Sequence, residues 1–264
     1  MIIIGERLNS TRSQILQALE SKDEKYLVDE AKKEEAAGAN YIDLNAAALL
    51  DKEAETLCWA ISVLQKELNI PLSIDTPDPR VMEEGLKIHK GQAIMNSLSG
   101  ETKKTRALLP FVRKYRPRVI ALCLDDEGLP QNSDKELSIA ARMVSLLEKE
   151  GLRQEDIFLD PLVRPVGADQ KAGELFLESL EKIKKNFPQV RTVAGISNIS
   201  FGLPRRKLLN RTFLVLALRS GLDAAILDPL DKEIIAALSA AEAFLGKDPS
   251  LKNYLKFIRS GKCS

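Results

Sequence analysis

Read along the chain, carboxylates and carboxamides recur directly after short apolar runs. Glu6 and Asn9 follow Ile2–Ile4, Asp43 and Asn45 close Tyr41–Leu44, Asp75 follows Leu72–Ile74, and Asn96 follows Ala93–Met95. Further on, Asp125, Asp160, Ser197 with Asn198, and Asp228 follow four more such runs. Any one of these residues is explained by the preference of Asp and Asn for turns and helix N-caps. As a set gathered at one face, they suit a neutral heterocycle rich in N–H donors and ring-nitrogen acceptors. Carboxylates accept from amino and amide groups, whereas carboxamides both donate and accept.

The residue types that are missing narrow the chemistry further. The only histidine, His89, stands near the end of a predicted helix in Lys87-Ile88-His89-Lys90-Gly91, where a solvated or dipole-satisfying role is the ordinary one. Serine–histidine and cysteine–histidine nucleophiles are thereby excluded, and proton chemistry falls to carboxylates, amides, lysine or water. Cys58, Cys123 and Cys263 lack the spacing of zinc ligands, so no metal site is expected. Neither a Walker loop nor a Gly-x-Gly-x-x-Gly fingerprint occurs, and Ser200-Phe201-Gly202-Leu203-Pro204 is no phosphate-cradling loop.

The elements that must position these residues alternate strictly. The eight apolar runs are Ile2–Ile4, Tyr41–Leu44, Leu72–Ile74, Ala93–Met95, Val119–Leu124, Ile157–Leu159, Thr192–Ile196 and Ala224–Leu227. Being continuous rather than alternating, they read as strands buried on both faces of a parallel sheet. Helical periodicity is clearest over Ala54–Leu68, Lys135–Glu150, Leu175–Asn186, Arg211–Arg219 and Lys232–Leu245, and Gly38, Gly151 and Gly221 read as helix stops. Eight strands and eight helices predict a (β/α)8 TIM barrel, with chemistry at the carboxyl ends of the strands. A doubly wound open sheet is the rival and rests on the same alternation. No linker divides the chain, so one domain spans 1–264, with an appended helix near Leu251–Ile258.

Bulk properties exclude other classes. Across 264 residues, 39 Lys and Arg face 38 Asp and Glu, a net charge of +1 that offers no electrostatic footprint for nucleic acid. No apolar run approaches the roughly 20 residues of a membrane span, and no signal peptide opens the chain. Three widely separated cysteines suit a reducing cytoplasm.

Several motifs taken together carry a resemblance. They are Ile3-Ile4-Gly5-Glu6-Arg7-Leu8-Asn9, Ser73-Ile74-Asp75-Thr76, Met95-Asn96-Ser97, Leu159-Asp160-Pro161-Leu162 and Gly195-Ile196-Ser197-Asn198-Ile199-Ser200. Leu209-Asn210-Arg211-Thr212-Phe213 and Gly221-Leu222-Asp223-Ala224-Ala225 complete the set. Over essentially its whole length the chain resembles methyltetrahydrofolate:corrinoid-protein methyltransferases of the pterin-binding barrel family. The resemblance implies that Asp75, Asn96 and Asp160 hydrogen-bond a pterin and that Asn198 approaches the N5 carrying the methyl group. It places Gly195 and Ser197 beside the pterin and makes Glu6, Asn9, Asp43 and Arg206 candidates for the mouth or the corrinoid side. It further implies a homodimer that uses methyltetrahydrofolate or tetrahydrofolate as substrate. Cobalamin would arrive on a partner, either an O-demethylase corrinoid protein or a corrinoid iron–sulfur protein. The sequence agrees on the last point, because the Asp-x-His-x-x-Gly loop that holds base-off cobalamin has no counterpart around His89. With a pterin bound, Asp75 and Asp160 are expected to be ionised acceptors of low pKa.

Two other readings follow from the same barrel. A dihydropteroate synthase carries an early Asn-x-Thr-x-Asp-Ser-Phe segment, where this chain has Asn9-Ser10-Thr11-Arg12-Ser13. A non-catalytic pterin-binding subunit has no need of the Asn198 motif.

Overall fold

The computed structural model describes residues 1–259. Strands β1 (Ile2–Gly5), β2 (Tyr41–Asn45), β3 (Leu72–Asp75) and β4 (Ile94–Ser99) form the first half of the sheet. Strands β5 (Arg118–Leu122), β6 (Ile157–Asp160), β7 (Arg191–Gly195) and β8 (Ala224–Leu227) form the second. All neighbours pair in parallel, and Ile2–Gly5 of β1 closes onto Ala224–Leu227 of β8. That closing pair decides for the barrel over the open sheet.

The helices differ in number from the strict alternation expected. The first crossover contains two, α1 (Ser13–Ser21) and α2 (Glu24–Ala36). Then come α3 (Glu53–Glu67), α4 (Pro79–Ile88), α5 (Thr102–Tyr115) and α6 (Ser133–Lys149). The chain continues with α7 (Ala172–Asn186), α8 (Arg206–Arg219), α9 (Lys232–Phe244) and the appended α10 (Lys252–Arg259). The side chains of Asp23, Asp78, Asn132 and Asp231 cap α2, α4, α6 and α9 by accepting first-turn N–H groups. Gly38, Gly151 and Gly221 take φ of 104°, 87° and 108° where their helices stop. No helix among the described residues is long and apolar enough to cross a membrane.

Alternate residues along each strand face opposite layers. Ile4, Tyr41, Ile94, Ile120, Phe158 and Val193 fill the barrel interior as one cluster. Ile3, Ile42, Leu44, Ile74 and Leu159 face the other way and join the larger core against the helices. At the start of β5 and β7, Arg118 and Arg191 lie over the rings of Tyr41 and Phe158 at 5.7 and 5.3 Å. Apolar side chains and these cations fill the amino end of the barrel, and the carboxyl end is left for chemistry.

Candidate functional site

At the carboxyl end lies a cavity of about 820 Å³. Its floor is built by β2, β3, β4 and β6. Asp75 and Asp160 are the last residues of their strands. Asn96 lies inside β4, which runs four residues beyond the expected end, and the β4–β5 register shifts between Asn96 and Leu98. Asp43, a candidate for the mouth by resemblance, belongs instead to the floor. It lies two residues inside the end of β2, is buried, and accepts Asn96 Nδ2 at 3.0 Å. Asn45 is paired with Asp75 in the β2–β3 register and donates Nδ2 to Asp75 Oδ2 at 3.0 Å. Its own Oδ1 accepts Ser10 Oγ at 2.8 Å, which fixes the amide orientation. Asp160 Oδ1 accepts the Leu162 N–H at 2.7 Å.

In the protein by itself these carboxyls do not have the low pKa expected of them with a pterin bound. Burial pushes Asp160 up to about 7, opposed by a single backbone N–H from Leu162. Asp43 and Asp75 are both raised, first by burial, and the charge of Asp75 lifts Asp43 further. The floor lacks cations to counter this, so the N–H donors of a ligand are what would favour the ionised forms. Outside the floor, burial also raises Glu34 to about 8 and Glu136 to about 7.

A stability prediction follows from the sign of these shifts. Each group binds its proton more tightly folded than unfolded, so its contribution is full at low pH and is lost as pH rises through the raised value. A tenfold difference in proton affinity between the folded and unfolded chain corresponds to roughly 1.4 kcal/mol. Calorimetry should therefore find a Tm lower by about 5 °C or more near pH 8.5 than near pH 6. A Tm that stays level or rises over that window rejects the reading.

The opposite wall is the 3₁₀ turn Ile196–Ser200 after β7. Asn198 is exposed into the cavity, and its carboxamide makes no hydrogen bond among the described residues. Gly195 leaves room for it: a Cβ there would meet Asn198 Nδ2 at 3.0 Å. Ser197 Oγ donates to Glu6 Oε2 at 3.3 Å. Arg206 borders the cavity, donating to the Ser197 carbonyl at 2.6 Å and to Ser200 Oγ at 3.1 Å. Ser200 in turn donates to Asn210 Oδ1 at 2.6 Å, so the Asn210 motif serves to brace this turn. The guanidinium of Arg206 lies 6.0 Å from the exposed ring of Phe201. Asn9 borders the cavity, but its Oδ1 is turned back onto the Thr11 backbone N–H and hydroxyl.

Some expectations are corrected. Asp125 leaves the ring because Arg142 and Lys135, both on α6, hold its carboxylate at 3.1 and 3.4 Å. It lines a separate groove beside α5 and α6. His89 is not freely solvated: half-buried at the end of α4, it accepts the Leu72 N–H on Nε2 at 3.2 Å. Cys58 is half-buried and Cys123 buried, and burial raises both thiols; Cys263 lies outside the described residues.

Arg7, Arg12, Lys207 and Asp231 also border the cavity, although the sequence assigned them no role. Arg7 carried a faint signal, standing between Glu6 and Asn9 in the motif that opens the chain. Its partners Glu30 and Asp228 lie 23 and 221 residues away. Acids thus dominate the floor, and Arg12, Arg206 and Lys207 stand at the rim.

The comparisons with known proteins bear on the chain as a whole. The family model described as pterin binding enzyme matches residues 5–228. The chain is 35% identical to a methylcorrinoid:tetrahydrofolate methyltransferase of Eubacterium limosum over 99% of this chain and 97% of that protein. It is 28% identical to methionine synthase of Mycobacterium tuberculosis over 86% of this chain, which corresponds to 20% of that longer protein. Among solved structures, Xanthomonas albilineans dihydropteroate synthase with 4-aminobenzoic acid superposes with a TM-score of 0.71 at 17% identity. That match covers 94% of this chain and 93% of the other, and at such identity it speaks for the shared barrel alone. A whole-length relative, a family model across the barrel and a floor of acceptors facing one carboxamide agree: the chain belongs to the pterin-binding enzyme family.

Proposed function

We propose that this protein is a methyltransferase. It moves the N5 methyl group between methyltetrahydrofolate and the cobalt of a corrinoid carried by a partner protein. The observation that carries the reading is the division of the cavity, with Asp75, Asn96 and Asp160 on one side and the uncommitted carboxamide of Asn198 on the other. The floor matches the N–H edge and ring nitrogens of a pterin, and the basic rim of Arg12, Arg206 and Lys207 suits the anionic glutamate tail of a folate. The methyl group then faces the open mouth, where a partner can present its corrinoid.

The chemistry requires help at N5. An amine nitrogen leaves poorly unless a proton or hydrogen bond relieves the charge that develops as the C–N bond breaks. Asn198 supplies a neutral donor whose hydrogen bond strengthens in the transition state. In the direction named for the Eubacterium limosum relative, methyl passes from the corrinoid to tetrahydrofolate. We assign the same direction here, with a corrinoid protein as donor. The test is to mix the protein with tetrahydrofolate and methylcobalamin. Loss of the methylcobalamin spectrum with formation of methyltetrahydrofolate is expected, and an unchanged spectrum overturns the reading.

The protein works as a homodimer in this proposal. Leu208, Val215 and Leu216 of α8 are exposed while Phe213, Leu214, Ala217 and Leu218 are buried on its other side. A second apolar stripe on a barrel helix is suited to a self-complementary interface. Light scattering at micromolar concentration is expected to give twice the chain mass, and a monomer mass rejects the dimer. The free thiols of Cys58 and Cys123 fit a reducing cytoplasm.

A further inference from the structure

The Gly5-Glu6-Arg7 segment leaving β1 is fixed from behind by α2. Gly5 has no room for a side chain, since a Cβ would fall 2.3 Å from Glu34 Oε1. Glu34 is fully buried and accepts the Arg7 backbone N–H at 3.1 Å. The Arg7 guanidinium donates to Glu30 Oε2 at 2.7 Å and to Asp228 Oδ2 at 3.0 Å. Residues 5 and 7 therefore face α2, and by strand alternation Glu6 faces the cavity. Its backbone N–H donates to the Leu227 carbonyl at 3.2 Å, which ties it to β8 as well.

Within the cavity Glu6 accepts the hydroxyl of Ser197, the residue next to Asn198. The other carboxylates that border this wall are held in ion pairs, Asp228 by Arg7 at 3.0 Å and Asp231 by Arg211 at 3.1 Å. Asn198 is a neutral amide, Arg206 is engaged with Ser197 and Ser200, and His89 lies at the Leu72 N–H. We infer that Glu6 is the proton partner of the reaction, exchanging a proton with the folate N5 through the hydroxyl of Ser197. This inference rests on the methyl transfer proposed above. As methyltetrahydrofolate forms, the N5 lone pair makes the new N–C bond, and the cobalt–carbon bond breaks with its electron pair staying on cobalt. The N5–H bond then breaks: its proton passes to Ser197 Oγ, the Ser197 hydroxyl proton passes to the Glu6 carboxylate, and the bonding pair remains on N5. The reverse reaction returns the proton by the same route.

The surroundings poise Glu6 for this exchange. Burial raises its pKa most and the charge of Asp228 adds to it, while Arg12, Arg206 and the Ser197 hydrogen bond act the other way, with a net upward shift. A base of raised pKa takes a proton from an amine more readily than an ordinary carboxylate does.

The test compares wild type, Glu6→Gln and Glu6→Asp for single-turnover transfer from methylcobalamin to tetrahydrofolate across pH, with folate affinity by calorimetry. Gln keeps an oxygen for Ser197 but holds no exchangeable acid. Wild type should speed up as pH rises through the Glu6 pKa. Glu6→Gln should bind folate within about threefold of wild type yet transfer methyl about a hundredfold more slowly, without that pH limb. Glu6→Asp should recover part of the rate and keep the limb, which separates loss of the acid from loss of fold. A Gln variant with wild-type rate and pH profile, one that cannot bind folate, or an Asp variant no better than Gln overturns the inference. Wild type that transfers no methyl overturns the underlying reading and this inference with it, whereas an active wild type beside an unaffected Gln variant overturns the inference alone.

Discussion

Replacing Asn198 by alanine is expected to slow methyl transfer about a hundredfold while folate affinity falls by less than about tenfold. The asymmetry comes from where the amide stands. It makes no hydrogen bond within the described residues, so its removal leaves no orphaned partner in the fold. In the proposed site Asp75, Asn96 and Asp160 still hold the pterin, and the missing donor is felt chiefly when charge builds on N5. Gly195→Ala should act in the same sense but more weakly, because the added Cβ pushes on Asn198 Nδ2 from 3.0 Å without deleting it. Stopped-flow transfer and calorimetry on the same preparations decide the matter. Wild-type rates in Asn198→Ala would remove Asn198 from the chemistry, and loss of folate binding would make it a ground-state anchor.

The barrel was legible in the sequence because each strand is buried on both faces, which yields continuous apolar runs with no alternation to confuse them. Asp75 and Asp160 could be placed for the same reason, as the first polar residues after such runs. The helices of the first crossover were not separated because Lys22-Asp23, where the chain turns between α1 and α2, contains neither Gly nor Pro. Helix α8 begins at Arg206, five residues before its expected start, and so brings Arg206 and Lys207 to the rim. Asp125 looked equivalent to Asp160 until tertiary structure brought Arg142 against it. The structure likewise converts Asn45 from a ring member into the residue that orients Asp75. Protonation was the least legible property, because burial of Asp43 and Asp160 in a floor without cations is a fact of packing that composition does not carry.

That packing leads to an expectation of opposite sign for binding and stability. Asp75→Asn and Asp160→Asn should each weaken folate binding by on the order of 2 kcal/mol. At Asp160, asparagine can keep Oδ1 on the Leu162 N–H, which places its NH2 where Oδ2 faced the cavity. At Asp75, the oxygen of asparagine can stay on Asn45 Nδ2, again turning NH2 toward the ligand. In both variants a pterin N–H then meets a donor in place of an acceptor. The protein by itself gains from the same change. Asp160 no longer has to hold a buried charge above about pH 7, and Asp43 no longer has a second carboxylate beside it to oppose its ionisation. The Tm of both variants near pH 8.5 should therefore equal or exceed that of wild type, and the gain should shrink toward pH 6 as the native carboxyls become protonated. Calorimetric titration with tetrahydrofolate and thermal melts at the two pH values test both halves. Unchanged affinity in both variants would place the pterin elsewhere, and a lower Tm at high pH would mean that the carboxylates stabilise the fold instead of waiting for a ligand.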